Sequence, residues 1–208
     1  MDQSAQSGWQ RRDFLGATAL LALALGIPAT AVRLTGLGDE DEPDEALRDL
    51  MREVSQIVLP RTGTAGAGDV GTGDFVLLAL AHGLDGARKP LAGKARETYA
   101  AFRRNDGSLH HARWLAHELA RRSPAGFLSD PRREAVLAAL DAEAYAEGAE
   151  EHPWRLIKTL ILTGYYTSEV GGSQELRYEL VPGRWDPDLP ANATTIALSS
   201  DWTAVDFG

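Results

Sequence analysis

The spacing of the apolar residues constrains the fold of this chain more than any other feature. These residues recur at three- and four-residue steps, in segments separated by proline and glycine. Residues 45–59 show the pattern most clearly, since Pro43 lies just ahead of them and Pro60 ends the run. This spacing puts the apolar side chains on one face of a helix. Further helices are predicted at 74–82, 89–104, 109–121, from Ser129-Asp130-Pro131 to about Tyr145, and from Pro153 to about Tyr166. We therefore expect an all-α fold, built as a compact multi-helix domain.

The amino-terminal residues have a different pattern, which is typical of an export signal. Arg11 and Arg12 stand just before Phe14 and Leu15, and an apolar run continues over residues 17–27. The run is shorter than the roughly 18–20 residues that a transmembrane helix needs. A charged start followed by a short apolar run predicts a signal peptide. The paired arginine indicates the twin-arginine route, whose cargo is folded before export.

The end of this segment resembles a signal peptidase site. Ala29-Thr30-Ala31 has the small-x-small spacing that the peptidase reads. We expect cleavage after Ala31, with an uncleaved membrane anchor as the alternative. The predicted organisation is a signal peptide over residues 1–31, a solvated acidic linker over 32–44 and a helical domain over 45–180. The protein is therefore expected in the periplasm.

Charge and cysteine content exclude several function classes. A formal net charge of −9 over 208 residues argues against nucleic-acid binding and against docking on anionic lipid. Contact with a membrane is thus expected only through the signal or a partner. The chain has no cysteine, which excludes disulfides, thiolate nucleophiles, iron–sulfur ligation and covalent haem attachment.

Patterns that resemble catalytic or cofactor motifs lack the context that their chemistry requires. Residues 66–71 match the letters G-x-G-x-x-G, but a predicted helix and Pro60 precede them instead of a strand, and Asp69 would face a pyrophosphate. We expect a flexible turn there. His117-Glu118 begins like H-E-x-x-H, yet the last position is Arg121, and His111 lies six residues before His117 instead of the three or four that would place two ligands on one helix face. His110, His111 and His117 are therefore expected to be surface residues rather than metal ligands. The chain is predicted to hold no catalytic residue, metal or cofactor of its own.

The carboxyl-terminal residues 181–208 lose the helical periodicity and form a predicted extended, irregular tail. A long segment that carries aromatic residues but no regular pattern is difficult to bury within one domain. The tail could wrap its own helices. Alternatively, Trp185 and Trp202 could fill pockets of another subunit, as aromatic interface residues often do.

Two segments resemble the gluconate 2-dehydrogenase subunit 3 family. Residues 57–71, I-V-L-P-R-T-G-T-A-G-A-G-D-V-G, are similar to its "I-I-P-x-T-D-T-P-G-A" segment. Residues 163–185 resemble its "G-Y-x-T-S-E-x-G…Y…P-G-x-[YW]" block. The chain departs from the family at Gly63, where aspartate is frequent, and at Ala65, where proline is frequent. Residues 84–150 carry only a generic helical pattern. We call the two segments the first and second motif.

Membership would imply the small, or gamma, subunit of a periplasmic FAD-dependent sugar or polyol dehydrogenase. In this family the large GMC-type subunit holds FAD and oxidises the substrate, and a cytochrome c often takes the electrons. The small subunit is not catalytic; it supplies the export signal and stabilises the large subunit. Tyr165 and Tyr166 in the second motif, together with Trp185 and Trp202, are then candidate partner contacts, with at least one tyrosine expected to face the core.

Two other functions remain open from the residues. One is a stand-alone periplasmic helical protein that binds a small ligand between its helices, and the other is a catalytically active subunit. A subunit should expose a large apolar patch, whereas a stand-alone protein should be monodisperse. The sequence does not specify the sugar or polyol, the electron acceptor or the stoichiometry.

Overall fold

Six α-helices run through the described part of the chain, which the computed structural model gives for residues 37, 40–178, 188, 190, 192 and 195–199. The helices are α1 (Glu45–Val58), α2 (Thr72–His82), α3 (Gly93–Thr98), α4 (His111–Arg122), α5 (Arg133–Ala144) and α6 (Pro153–Tyr166). Short 3₁₀ turns lie at Leu84–Gly86, Ala100–Phe102 and Phe127–Ser129, and a π-helical turn, Gly171–Glu175, follows α6. Two three-residue strands, β1 (Leu176–Tyr178) and β2 (Ala197–Ser199), come last. The all-α prediction is confirmed.

Local side-chain chemistry explains where the two longest helices begin. The Asp44 carboxylate accepts a hydrogen bond from the Leu47 amide at 2.7 Å and so caps the amino terminus of α1. His152 caps α6 in the same way through the Trp154 amide, and Pro153 occupies the first helical position. Both helices match their predicted bounds to within one residue.

Helix α2 lies at the centre of the fold, packed between α1 and α6. It is buried around most of its circumference, from Thr72 through Leu80. The largest fully buried side chains come from α1, α2, α4, α5 and α6: Met51, Val54, Val76, Leu78, Leu80, Leu115, Leu119, Leu140, Trp154, Ile157, Leu160 and Ile161. They form one continuous hydrophobic core. None of the helices in the described ranges combines the length and the apolar character that crossing a bilayer demands.

The helix predicted at 89–104 is wrong in extent. Only α3 and the 3₁₀ turn Ala100–Phe102 are helical there, and neither has a buried residue. Isolated antiparallel bridges pair Pro90 with Ser108 and Arg103 with Leu109. The pairing folds this stretch back on itself, so a continuous helix is replaced by an irregular region over residues 83–110.

The helix predicted to open at Ser129-Asp130-Pro131 begins later. Ser129 ends a 3₁₀ turn, and α5 starts only at Arg133. The Asp130 carboxylate accepts a hydrogen bond from the Arg132 amide at 2.8 Å, which holds a turn ahead of the helix.

The described residues of the carboxyl-terminal tail include one short strand. Residues 197–199 pair in parallel with 176–178, with Leu176 opposite Ala197. A parallel pair requires a long connection between its strands, so no short-range turn signal announces it.

The acidic linker also differs from the expectation of a solvated spacer. Glu40 and Asp41 form ion pairs with Arg88 and Arg104, and the Asp41 side chain is only 7% exposed. The end of the linker is therefore packed on the helical domain.

Candidate functional site

The first and second motifs, distant in sequence, contact each other in the fold. The Tyr165 hydroxyl at the end of α6 donates a hydrogen bond to the Ala65 carbonyl at 2.9 Å. Glu175 accepts a hydrogen bond from the Thr62 hydroxyl at 3.1 Å and another from the Thr64 hydroxyl. We call residues 61–65 and 164–175 together the motif face.

Two glycines permit the close packing of the second motif. A Cβ atom at Gly164 would lie 2.5 Å from Cδ1 of Phe75 in α2, and one at Gly171 would lie 2.0 Å from the Tyr165 carbonyl oxygen. Ser168 stabilises the turn between them, because its hydroxyl donates to the Tyr165 carbonyl at 2.6 Å and accepts from the Gly171 amide at 3.1 Å. The end of α6 is thus locked against both α2 and the turn that follows it.

The glycine-rich loop of the first motif packs against α1. A Cβ atom at Gly66 would lie 2.5 Å from the Gln56 side chain, and one at Gly68 would lie 2.7 Å from the Arg52 carbonyl oxygen. The Gly66 amide donates to Asp69 at 2.9 Å, and the Gly68 amide donates to Gln56 at 2.9 Å. The expected flexible turn is therefore a closely packed loop, whose glycine amides bond to the protein's own side chains.

Asp69 closes this loop electrostatically. It forms an ion pair with Arg61 at 2.7 Å in addition to its bond to the Gly66 amide. The hydrogen bond from the Arg61 guanidinium holds the pKa of the Asp69 carboxyl below its ordinary value. The negative charge that argues against a pyrophosphate ligand serves here to hold the loop.

The two adjacent tyrosines differ in exposure. Tyr165 is 3% exposed and Tyr166 is 38% exposed. Their rings meet edge to face with 5.3 Å between centroids. Burial raises the pKa of Tyr165. The expectation that one tyrosine faces the core is confirmed. The prediction that Tyr165 presents its ring to a partner is wrong, because this ring lies in the core and packs against the Tyr166 ring.

The outward side of α6 continues the motif face as an uncharged stripe. Thr159, Leu162, Thr163 and Tyr166 are all exposed there, and they follow the three- and four-residue steps of one helix face. A quarter of the chain is charged, so an exposed helix face without charge is a distinctive surface. Sequence reasoning missed Leu162, although its four-residue spacing from Tyr166 was a signal that could have revealed it.

Two of the three histidines are not the surface residues that were predicted, because His110 and His111 are buried. The Nε2 of His110 contacts the Glu40 carbonyl at 2.8 Å, and its Nδ1 accepts a hydrogen bond from the Arg113 amide at 3.3 Å. The Nδ1 of His111 contacts the Leu109 carbonyl at 3.1 Å. Burial lowers the pKa of His111 to about 4. His117 is exposed and packs against Phe102. Among the residues that the structure describes, no group of three acidic, histidine or cysteine side chains converges as metal ligands would.

Two open grooves flank α1. One, of about 570 Å³, lies between the carboxyl end of α1, α5 and α6. Four of its charged side chains are paired, since Arg133 bonds to Glu53 at 2.6 Å and Lys158 bonds to Asp141 at 2.7 Å. The other, of about 670 Å³, lies between α1 and α4.

Several predicted functional residues fall outside the described ranges. They are Arg11, Arg12, Phe14 and Leu15 of the predicted export signal, and Trp185 and Trp202 of the tail. Their roles stay predictions.

Comparison with known proteins identifies the family. The profile of the family described as gluconate 2-dehydrogenase subunit 3 matches residues 45–183, about two thirds of the chain, and this range contains the whole of the first motif and most of the second. No significant match was found among the curated proteins or among the solved structures. The matched range begins at the first residue of α1 and includes all six helices. The chain belongs to the gluconate 2-dehydrogenase subunit 3 family, whose members associate with the other subunits of a dehydrogenase complex.

Proposed function

We propose that this chain is the non-catalytic small subunit of a periplasmic FAD-dependent dehydrogenase complex that oxidises a sugar, gluconate or a glucoside. In this proposal a GMC-type large subunit holds FAD and the substrate, and a cytochrome c subunit accepts the electrons. The small subunit carries the twin-arginine signal and stabilises the large one. The observation that carries the proposal is the contact between the two motifs by which the family is recognised, since it joins them into one surface.

The polar groups of the motif face support an accessory role. Tyr165 donates to a backbone carbonyl, Glu175 accepts from two threonine hydroxyls, and Arg61 is paired with Asp69 of the adjoining loop. Each of these groups holds two segments of the chain together. A catalytic acid or base needs a partner on the substrate instead, so we assign the chemistry to the large subunit.

Tyr166 is the partner contact that the geometry favours. Its ring is partly exposed and rests on the Tyr165 ring, which is held in turn by the bond to Ala65. An aromatic side chain that is already held in place loses little conformational entropy on binding. Leu162, one turn earlier on α6, adds apolar area beside it. We propose that Trp185 and Trp202 of the tail contact the same subunit.

Export by the twin-arginine route suits such a complex. A flavoprotein acquires its cofactor in the cytoplasm and must then cross the membrane folded. A partner that carries Arg11-Arg12 would take it across.

Co-expression with a GMC-type oxidoreductase gene of the same genome tests the proposal. We expect a tag on this chain to recover a stoichiometric, yellow complex with flavin absorbance and sugar-oxidising activity. The control is the same purification without the second gene, which should give a colourless chain. If the chain stays colourless and monodisperse in both cases, the subunit proposal fails and the stand-alone ligand-binding function is favoured.

A further inference from the structure

Residues 40 and 41, just ahead of the domain that the family profile matches, are held by a charged socket. The Asp41 carboxylate bonds to Arg104 at 2.6 Å and to Arg88 at 2.6 Å. The Arg104 side chain is only 2% exposed. The Glu40 carbonyl accepts from His110 Nε2 at 2.8 Å and from the Arg113 guanidinium at 3.1 Å, since His110 Nδ1 is the acceptor of the Arg113 amide. We call residues 40–41 the strap.

The socket consists of four residues. Arg88, Arg104 and His110 lie in the irregular region 83–110, and Arg113 lies three residues beyond it. This region contributes few side chains to the core, since α3 and the turn that follows it have no buried residue. Polar bonds hold it instead: Arg88 also pairs with Asp106 at 2.7 Å, and Arg104 also donates to the Leu109 carbonyl at 2.6 Å. The strap supplies the carboxylate on which both arginines converge.

A buried guanidinium without its carboxylate is costly. Removing one partner of a buried ion pair typically destabilises a protein much more than removing an exposed one, because a charge is left desolvated and unpaired. Arg104 would be in that position without Asp41. The order of the irregular region and the order of the strap should therefore depend on each other.

We propose that the strap and the irregular region order each other. In the folded chain Asp41 holds residues 40–44 on the irregular region by pairing with Arg88 and Arg104. Without Asp41 the two arginines lose the carboxylate on which they converge, so both segments should loosen together.

Hydrogen exchange on the full-length chain tests the mutual ordering. We expect Asp41→Asn to lower the protection of amides in residues 84–110 and in residues 40–44 by about tenfold or more, since a buried pair is broken. Glu42→Gln is the matched control, because Glu42 is an exposed carboxylate one residue away. Unchanged protection in Asp41→Asn would overturn the inference.

A milder pair of variants covers the case in which Asp41→Asn does not fold. Arg88 is 29% exposed, so its removal takes away a partly exposed charge and leaves Arg104 paired with Asp41. We expect Arg88→Gln to lower the amide protection of residues 84–110 and 40–44. Arg96→Gln, at an exposed position of α3, is its control. Equal protection in these two variants would also overturn the inference.

Discussion

Gly164 permits the contact on which the motif face depends. Its α-carbon packs directly on the Phe75 ring, and this contact sets the distance between α6 and α2. Tyr165 follows in the chain, and its hydroxyl bonds to Ala65 only when α6 lies this close. The absence of a Cβ atom at residue 164 thus allows the second motif to pack this closely against the first.

Substituting Gly164 by alanine should destabilise the fold. The new methyl group would lie 2.5 Å from the Phe75 ring, so the core must shift. We expect a loss of about 1–3 kcal/mol in the free energy of unfolding, somewhat offset by the better helix propensity of alanine. Gly63→Ala is the control, because nothing lies within 4 Å of a Cβ atom there. Urea unfolding measures both; equal stability of the two variants would contradict the contact.

Burial of His111 should make stability depend on pH. Its pKa is lowered from 6.5 to about 4, so between these values the unfolded state binds a proton that the folded state does not. The contribution of His111 to the free energy of unfolding should therefore fall as pH decreases from about 6.5 to 4, by up to about 3 kcal/mol.

The variant His111→Gln should flatten this dependence between pH 7 and 5, where carboxyl groups contribute little. A smaller slope should remain, because burial also lowers the pKa values of His110 and His152. Denaturant unfolding at a series of pH values measures the slope. An unchanged slope in the variant would mean that His111 titrates normally in the folded chain.

At the scale of the elements, α6 has two distinct faces. Its inner face packs Trp154, Ile157 and Leu160 into the core. Its outer face carries the uncharged stripe that ends at Tyr166. The packed inner face of the helix therefore holds the exposed residues of the outer face in fixed positions.

Truncation of the stripe should weaken the complex without unfolding the chain. We expect the double variant Leu162→Ala, Tyr166→Ala to bind the large subunit about tenfold or more weakly, since partly buried aromatic anchors dominate interface energies. Tyr145→Ala is the control, because Tyr145 is 50% exposed and lies at the end of α5. Competition pull-down with flavin absorbance measures binding, and circular dichroism verifies the fold. Equal binding of both variants would assign the interface to another surface.

At the scale of the whole molecule, a helical core positions the motif face. The family match covers the core and the motif face, whereas the predicted export signal precedes it. This division agrees with a subunit whose domain binds a partner while its amino terminus directs transport.

Replacing both signal arginines by lysine should retain the complex in the cytoplasm. The twin-arginine route reads the pair itself, so Arg11→Lys with Arg12→Lys keeps the charge and removes the recognition. We expect both subunits to disappear from the periplasm together, as fractionation and activity staining would measure. Asp13→Asn, beside the pair, is the control. Periplasmic large subunit in the double variant would mean that it is exported independently.

Local signals explain which elements were predictable. Helices α1 and α6 have caps, prolines and an apolar face within their own residues, and their predicted bounds agree with the structure. The region 89–104 has helical periodicity, but Arg104 pairs with Asp41, and two antiparallel bridges hold Pro90 and Arg103 near the ends of the region. Tertiary bonds there outweigh local propensity.

The sequence alone determined the helical class, the starts and ends of the capped helices, and the family through its two motifs, because these depend on neighbouring residues and on their spacing. Only the tertiary structure decided that the motifs meet, that Tyr165 is buried while Tyr166 is exposed, and that Asp41 pairs with an arginine 63 residues away. These facts depend on which helices pack together. A change of one residue along a helix rotates a side chain by about 100° between core and solvent, so the assignment of adjacent residues such as the two tyrosines requires the packed structure.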